Sequence, residues 1–130
     1  MNEMKERIKN LSIGEIELDK LAESCINSIK EVREHYAVLG ELKSKICLFK
    51  AKLEYTKAKQ ALTIRANFTE NNVKFTEAMV TSSVEINEEV VKWNEKLHDC
   101  EYLLALVSAN IAVLEFKQNQ LNNLVKLNIN

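Results

Sequence analysis

Residues 90–125 read VVKWNEKLHDCEYLLALVSANIAVLEFKQNQLNNLV. Within them Val90, Trp93, Leu97, Cys100, Leu104, Val107, Ile111, Leu114, Gln118, Leu121 and Val125 recur in alternating steps of three and four. That spacing keeps one side of an α-helix in a single line, so this is a heptad stripe with one polar member, Gln118. Asn87 stands just ahead as an N-cap, followed by Glu88 and Glu89, whose charge complements the positive end of a helix dipole. The expectation is a long C-terminal helix over 87–127, and forty such residues extend about 60 Å. A second stripe, Leu103, Leu106, Ala109 and Val113, widens the apolar surface, so the helix needs cover on more than one side.

Working outward, Thr76 or Thr69 is placed to cap a short helix over 76–86. The stretch before it carries Asn67, Thr69, Asn71 and Asn72, local hydrogen-bonders that favour a loop at 67–75. Upstream, a helical pattern without proline runs over 21–66, with Gly40 as its soft spot, costing about 1 kcal/mol relative to Ala and marking a place for a kink. Its apolar residues form one stripe of Ile29, Val32, Tyr36 and Leu39 and another of Leu48, Ala51, Tyr55, Ala58 and Leu62, which is expected to be the buried side. In the N-terminal segment, 1–20, Ser12 with Glu15 makes a capping box and Leu11 with Ile16 its hydrophobic staple, giving a helix start near Ile13. Asp19 is an alternative cap for a helix beginning at Lys20.

The pattern is that of a single all-α domain over 1–130: a long antiparallel helical hairpin with shorter N-terminal and connecting helices. A segment of roughly twenty residues covers only half of a 60 Å hairpin, so a homo-oligomer is expected to cover the rest. The alternative is that the N-terminal segment folds back and closes a monomeric three-helix bundle.

At 130 residues, 46% hydrophobic and 28% charged, the chain has the length of one folded domain and is far from disordered composition. It has no proline, and its two glycines, Gly14 and Gly40, are too few for all-β turns and cannot form a Walker or Rossmann phosphate loop. Cys25, Cys47 and Cys100 show no CxxC spacing, and His98 and Cys100 diverge by about 200° on a helix, so neither a disulfide framework nor a metal site is expected. Glu88 with Glu89, and Asp99 with Glu101, read as solvated helix charge, and nothing near His35 or His98 resembles a nucleophile. No enzyme activity and no cofactor are expected. The segment Met1 to Leu11 is charged, unlike a signal or transit peptide. The longest apolar-rich run, Leu103 to Phe116, is interrupted by Ser108, Asn110 and Glu115 and falls short of the roughly 20 residues that span a bilayer. A soluble, cytoplasmic protein with no membrane partner is expected.

The net charge of −1 hides a strong asymmetry. Between Glu41 and Lys74 lie eight basic residues, Lys43, Lys45, Lys50, Lys52, Lys57, Lys59, Arg65 and Lys74, against three acids, Glu41, Glu54 and Glu70. That segment is +5, whereas 1–40 is −2 and 75–130 is −4. Lys43, Lys50 and Lys57 recur at seven-residue spacing on one flank of the helix, and Lys45, Lys52 and Lys59 on another. Two lysine rows beside one apolar stripe can follow a phosphate backbone with little sequence preference, so nucleic acid is the leading candidate partner and these lysines with Arg65 its candidate contacts; the alternative is a solvated face whose lysines pair with acids elsewhere in the fold. Phe49, Phe68 and Phe75 are candidate base-stacking surfaces, with core or loop packing as the alternative.

Lys50-Ala51-Lys52-Leu53-Glu54-Tyr55 resembles the Lys-Ala-Arg-Leu-Asp-Tyr stretch of the UvsY-type phage recombination mediators. Similarity continues through Thr76-Glu77-Ala78-Met79, Val84-Glu85-Ile86-Asn87-Glu88-Glu89-Val90 and a long last helix ending Leu121-Asn122-Asn123-Leu124. The Leu18-Asp19-Lys20 element before a long helix is similar to the start of small phage proteins of the same plan. The resemblance implies a helical ring that binds single-stranded DNA in a phage-infected bacterial host and helps a recombinase replace single-strand-binding protein, with Lys50 and Lys52 as the basic pair. Lys52 stands where the family stretch has Arg, keeping the charge without the bidentate fork. Thr56 stands where it has a second Tyr, which removes a stacking group. Two other functions fit the composition: a phage-encoded protein-interaction inhibitor of a host defence complex, and a structural coiled-coil scaffold.

Overall fold

The computed structural model describes residues 2–14, 16 and 20–129, the side chains of 128 and 129 excepted. Its described residues form four α-helices and no strand: α1 (Asn2–Asn10), α2 (Leu21–Glu70), α3 (Glu77–Glu85) and α4 (Glu88–Ile129). The protein is all-α, with α2 and α4 as a closely packed long pair. The chain divides into two compact units, one of Met1–Lys43 with Glu101–Asn130 and one of Ser44–Cys100.

In the first unit α2 and α4 run antiparallel, since Glu31 meets Lys117 and Tyr36 meets Glu115. Met4 of α1 joins Val38 and Leu42 of α2 and Leu103, Val107 and Ile111 of α4 in one cluster, with Ile8, Leu11, Leu39 and Leu104 packed against it. The short N-terminal helix expected from the sequence lies earlier than its caps suggested, at Asn2–Asn10. Its apolar stripe is only Met4, Ile8 and Leu11, one residue wide among charged neighbours, so it has little helical signature of its own. The helix start expected near Ile13 is absent, because Leu11–Gly14 have no regular structure. Glu15 of the proposed capping box, and Leu18 and Asp19 upstream of α2, lie outside the described residues.

The buried line of α2 in this unit is Ser24, Ser28, Glu31, His35, Val38 and Leu42. The stripe expected from hydrophobicity lies beside it: Ile29 is 54% exposed and Tyr36 47%, while Val32 and Leu39 are half-buried. The seam has the right heptad steps but polar residues on it, and specific partners make that tolerable. Lys117 Nζ donates to Glu31 Oε2 at 2.9 Å, with both side chains 9% exposed. The Gly14 N–H donates to Glu31 Oε1 at 2.9 Å, and a Cβ on Gly14 would sit 2.9 Å from that same oxygen, so the approach uses the absence of a side chain. His35 Nδ1 lies 2.7 Å from the Glu31 carbonyl oxygen. Helix α2 continues through Gly40 without a break.

In the second unit Leu53 and Thr56 of α2, Val80 and Val84 of α3, and Val90, Leu97 and Cys100 of α4 are buried. Here α2 runs to Glu70, past the loop start expected at 67. Two of the short polar side chains that suggested a loop bond back to the helix: Thr69 Oγ1 donates to the Arg65 carbonyl and Asn71 Nδ2 to that of Asn67. The helix ends when Asn72 turns left-handed at φ 52°, with Val73 N–H bonded to Phe68 O and Asn72 N–H to Thr69 O, the paired closure of a Schellman end with asparagine in place of glycine. Thr76 then caps α3 by accepting from Met79 N–H. Asn87 caps α4 as expected, its Oδ1 accepting from Glu89 and Val90 N–H at 3.0 and 3.3 Å.

All eleven heptad positions of α4 are buried or half-buried. Of the second stripe only Leu103 is buried, while Leu106 is 40% and Val113 53% exposed. By length and composition α4 is apolar enough to cross a bilayer, which the run Leu103 to Phe116 alone is not. The same composition suits the core helix of a soluble protein, and its heptad side chains here lie against protein.

Candidate nucleic-acid interface

Along α2 in the second unit the line facing the core is Ile46, Phe49, Leu53, Thr56 and Gln60, all buried or half-buried. Lys45, Lys52 and Lys59 each precede a residue of this line, and Lys50 and Lys57 each follow one, so the two lysine rows run along its flanks. Leu48, Ala51, Tyr55, Ala58 and Leu62 lie two residues on, about 200° round the helix. This corrects the expectation that they form the buried side: Leu48 is 50% exposed, Tyr55 70% and Leu62 67%. Hydrophobicity alone selects the wrong stripe because the true seam includes Thr56 and Gln60 while the outer one is apolar throughout. The lysine rows therefore border a solvent-facing apolar and aromatic strip.

The cations differ in what they meet. Arg65 donates to Glu77 through Nε at 3.3 Å and Nη2 at 2.6 Å, a fork that joins α2 to α3. Hydrogen bonding to Glu77, then its charge, raises the guanidinium pKa, and the bond from Arg65 holds the Glu77 carboxyl below the usual glutamate range. Lys57 approaches Glu54 of its own helix at 4.0 Å. Among the described residues no carboxylate lies within 4.0 Å of Lys45, Lys50, Lys52 or Lys59. Lys50, Lys52 and Lys59 are exposed and Lys45 half-buried. Lys43 is exposed in the first unit.

The phenylalanines are used for packing. Phe49 rests on Trp93 with ring centroids 5.8 Å apart, and Phe68 stacks on Phe75 at 5.3 Å across the turn after α2. Tyr55 is the aromatic on the open strip. Thr56 is 3% exposed, so the position where the resembling family has its second tyrosine belongs to the core line in this chain. Lys52 also lies 4.8 Å from the Trp93 ring centroid, and Lys96 and Lys92 of α4 lie 4.7 and 5.8 Å from it. Those two lysines were missed because 75–130 is acidic as a whole; the signal was their one-turn spacing around the only tryptophan. Between α2 and α3 a groove of about 540 Å³ has an apolar floor of Ala58, Ala61, Leu62, Val80 and Val84. Among the described residues no group of three or more His, Cys, Asp or Glu is placed to hold a metal ion. Comparison with family models, curated proteins and solved structures finds no match.

Proposed function

We propose that this protein binds single-stranded DNA without catalysing a reaction and acts as a recombination mediator or accessory protein, helping to load a recombinase as single-strand-binding protein is displaced. The observation that carries the binding step is the run of Lys45, Lys50, Lys52 and Lys59 with no carboxylate partner among the described residues, beside the 70% exposed ring of Tyr55. Ammonium groups at heptad spacing suit a phosphate chain, and an aromatic between them suits an unpaired base. The recombination role rests on the resemblance of Lys50 through Tyr55 to the mediator family. Assembly into a homo-oligomer belongs to the same proposal, since repeated copies of a weak site raise affinity through effective concentration.

The test is a salt titration of oligothymidine binding. Replacing Lys50 and Lys52 by Ala is expected to weaken binding and to flatten the dependence of log K on log salt by about 0.7 for each lost contact. An unchanged affinity and slope would overturn the proposal. The exposed strip Leu48, Tyr55 and Leu62 favours a second reading, a protein-interaction module that docks on this face. Solution mass and strand binding measured on one sample separate them, because such a module ignores DNA.

A further inference from the structure

Three ammonium groups gather round one indole in the second unit. Lys52 and Lys96 lie 4.8 and 4.7 Å from the Trp93 centroid, and Lys92 lies 5.8 Å from it. Glu88, Glu89 and Glu95 share their helix, yet none comes within 4.0 Å of Lys92 or Lys96 among the described residues. Lys92 and Lys96 are one turn apart on α4, where like charges repel, and Glu88 and Glu89, four and three residues before Lys92, offset part of that repulsion. The ring attracts each cation only modestly at a partly solvated site. Three ammonium groups around one indole, none with a carboxylate within 4.0 Å among the described residues, present positive charge that an oxyanion with several acceptor oxygens can neutralise, and a phosphate is such a group.

We infer that Lys52, Lys92 and Lys96, arranged about Trp93, form a phosphate-binding site drawn from both long helices of the second unit. The inference deepens the proposed function and rests on it for its natural ligand, a backbone phosphate of the single strand. Phe49 supports the site by packing against the indole at 40° between ring planes. Lys52 is shared with the α2 lysine row, so a strand lying along that row also meets α4.

Trp93 is the chain's only tryptophan, so fluorescence excited beyond the tyrosine absorption band reports on this site alone. The full chain is titrated with inorganic tripolyphosphate and, separately, with oligothymidine whose binding is followed independently by anisotropy of an end label. A saturable tryptophan response to tripolyphosphate that added salt reverses is expected. The Lys92→Ala/Lys96→Ala variant should lose that response and flatten the oligothymidine salt slope by about 0.7 per lysine, while Lys92→Arg/Lys96→Arg keeps both. A flat tryptophan signal at saturating tripolyphosphate overturns the site. If the double-alanine variant binds oligothymidine with the original slope while Lys50→Ala/Lys59→Ala does not, the site falls and the DNA-binding proposal stands. If tripolyphosphate is bound at Trp93 but oligothymidine is not bound at all, the site stands and the DNA-binding proposal falls.

Discussion

The two units place their charge in opposite ways. The first buries Ser24, Ser28, Glu31, His35 and Lys117 beside an apolar cluster, whereas the only buried polar residue recorded in the second is Thr56. In the first, the buried charges are paired, Glu31 with Lys117 and the Gly14 amide, and at the surface Arg7 meets Glu41 and Glu115 the Tyr36 hydroxyl. In the second, several lysines face solvent with no carboxylate partner among the described residues. A buried pair fixes which turn of α2 meets which turn of α4, because sliding either helix strands a charge in the core. An exposed lysine fixes no register and stays available to a ligand. The buried pair thus sets register in the first unit, and the core of the second has no such pair among the described residues.

The sharpest way to break this contrast is Lys117→Met, which leaves Glu31 charged, buried and without its cation. A loss of about 4 kcal/mol in urea unfolding is expected, with the hydrogen-exchange protection of α2 near Glu31 falling first. Replacing Glu31 and Lys117 together by Leu and Met should recover most of that loss. In the second unit, where packing is apolar, Leu53→Ala should cost about 3 kcal/mol through transfer and cavity terms, and no companion substitution of a charge should restore it. A smaller effect of opposite sign sharpens the comparison: Ser28 Oγ and His35 Nε2 are buried without a hydrogen-bond partner, so Ser28→Ala should stabilise by about 1 kcal/mol in the same assay.

The smallest effect is a pH dependence of the second unit. Because Arg65 depresses the Glu77 pKa, the folded state binds fewer protons than the unfolded one near the ordinary glutamate value. The fork's contribution is complete above that value and disappears as pH falls through the lowered one. Melting curves taken from about pH 6 to about pH 3 should lose this increment on acidification, and Glu77→Gln should remove that part of the slope.

Much of this architecture was legible. Cap residues and heptad steps mark α4 from Asn87 onward because its seam is almost wholly apolar, and Thr76 marks α3. The buried face of α2 was not legible from hydrophobicity, since Ser24, Ser28, Glu31, His35 and Thr56 occupy seam positions while Tyr55 and Leu62 point outward. Pairing across the core, which no single helix displays, decides that face. Likewise Arg65 looked like a free cation until Glu77, twelve residues on, was seen to engage it. The lysines of the candidate interface were legible as a charge run, but Lys92 and Lys96 were hidden inside an acidic segment.

The second unit is one unbroken stretch, Ser44–Cys100, whereas the first joins Met1–Lys43 to Glu101–Asn130. Closing the short turn at Asn72 costs little chain entropy, so the lysine-bearing stretch can assemble from its own local contacts. Glu31 must wait for Lys117, eighty-six positions later. During synthesis, therefore, the part that carries the exposed cations can take shape before the buried ion pair exists, and nascent chains have access to polyanions before their polar seam is sealed.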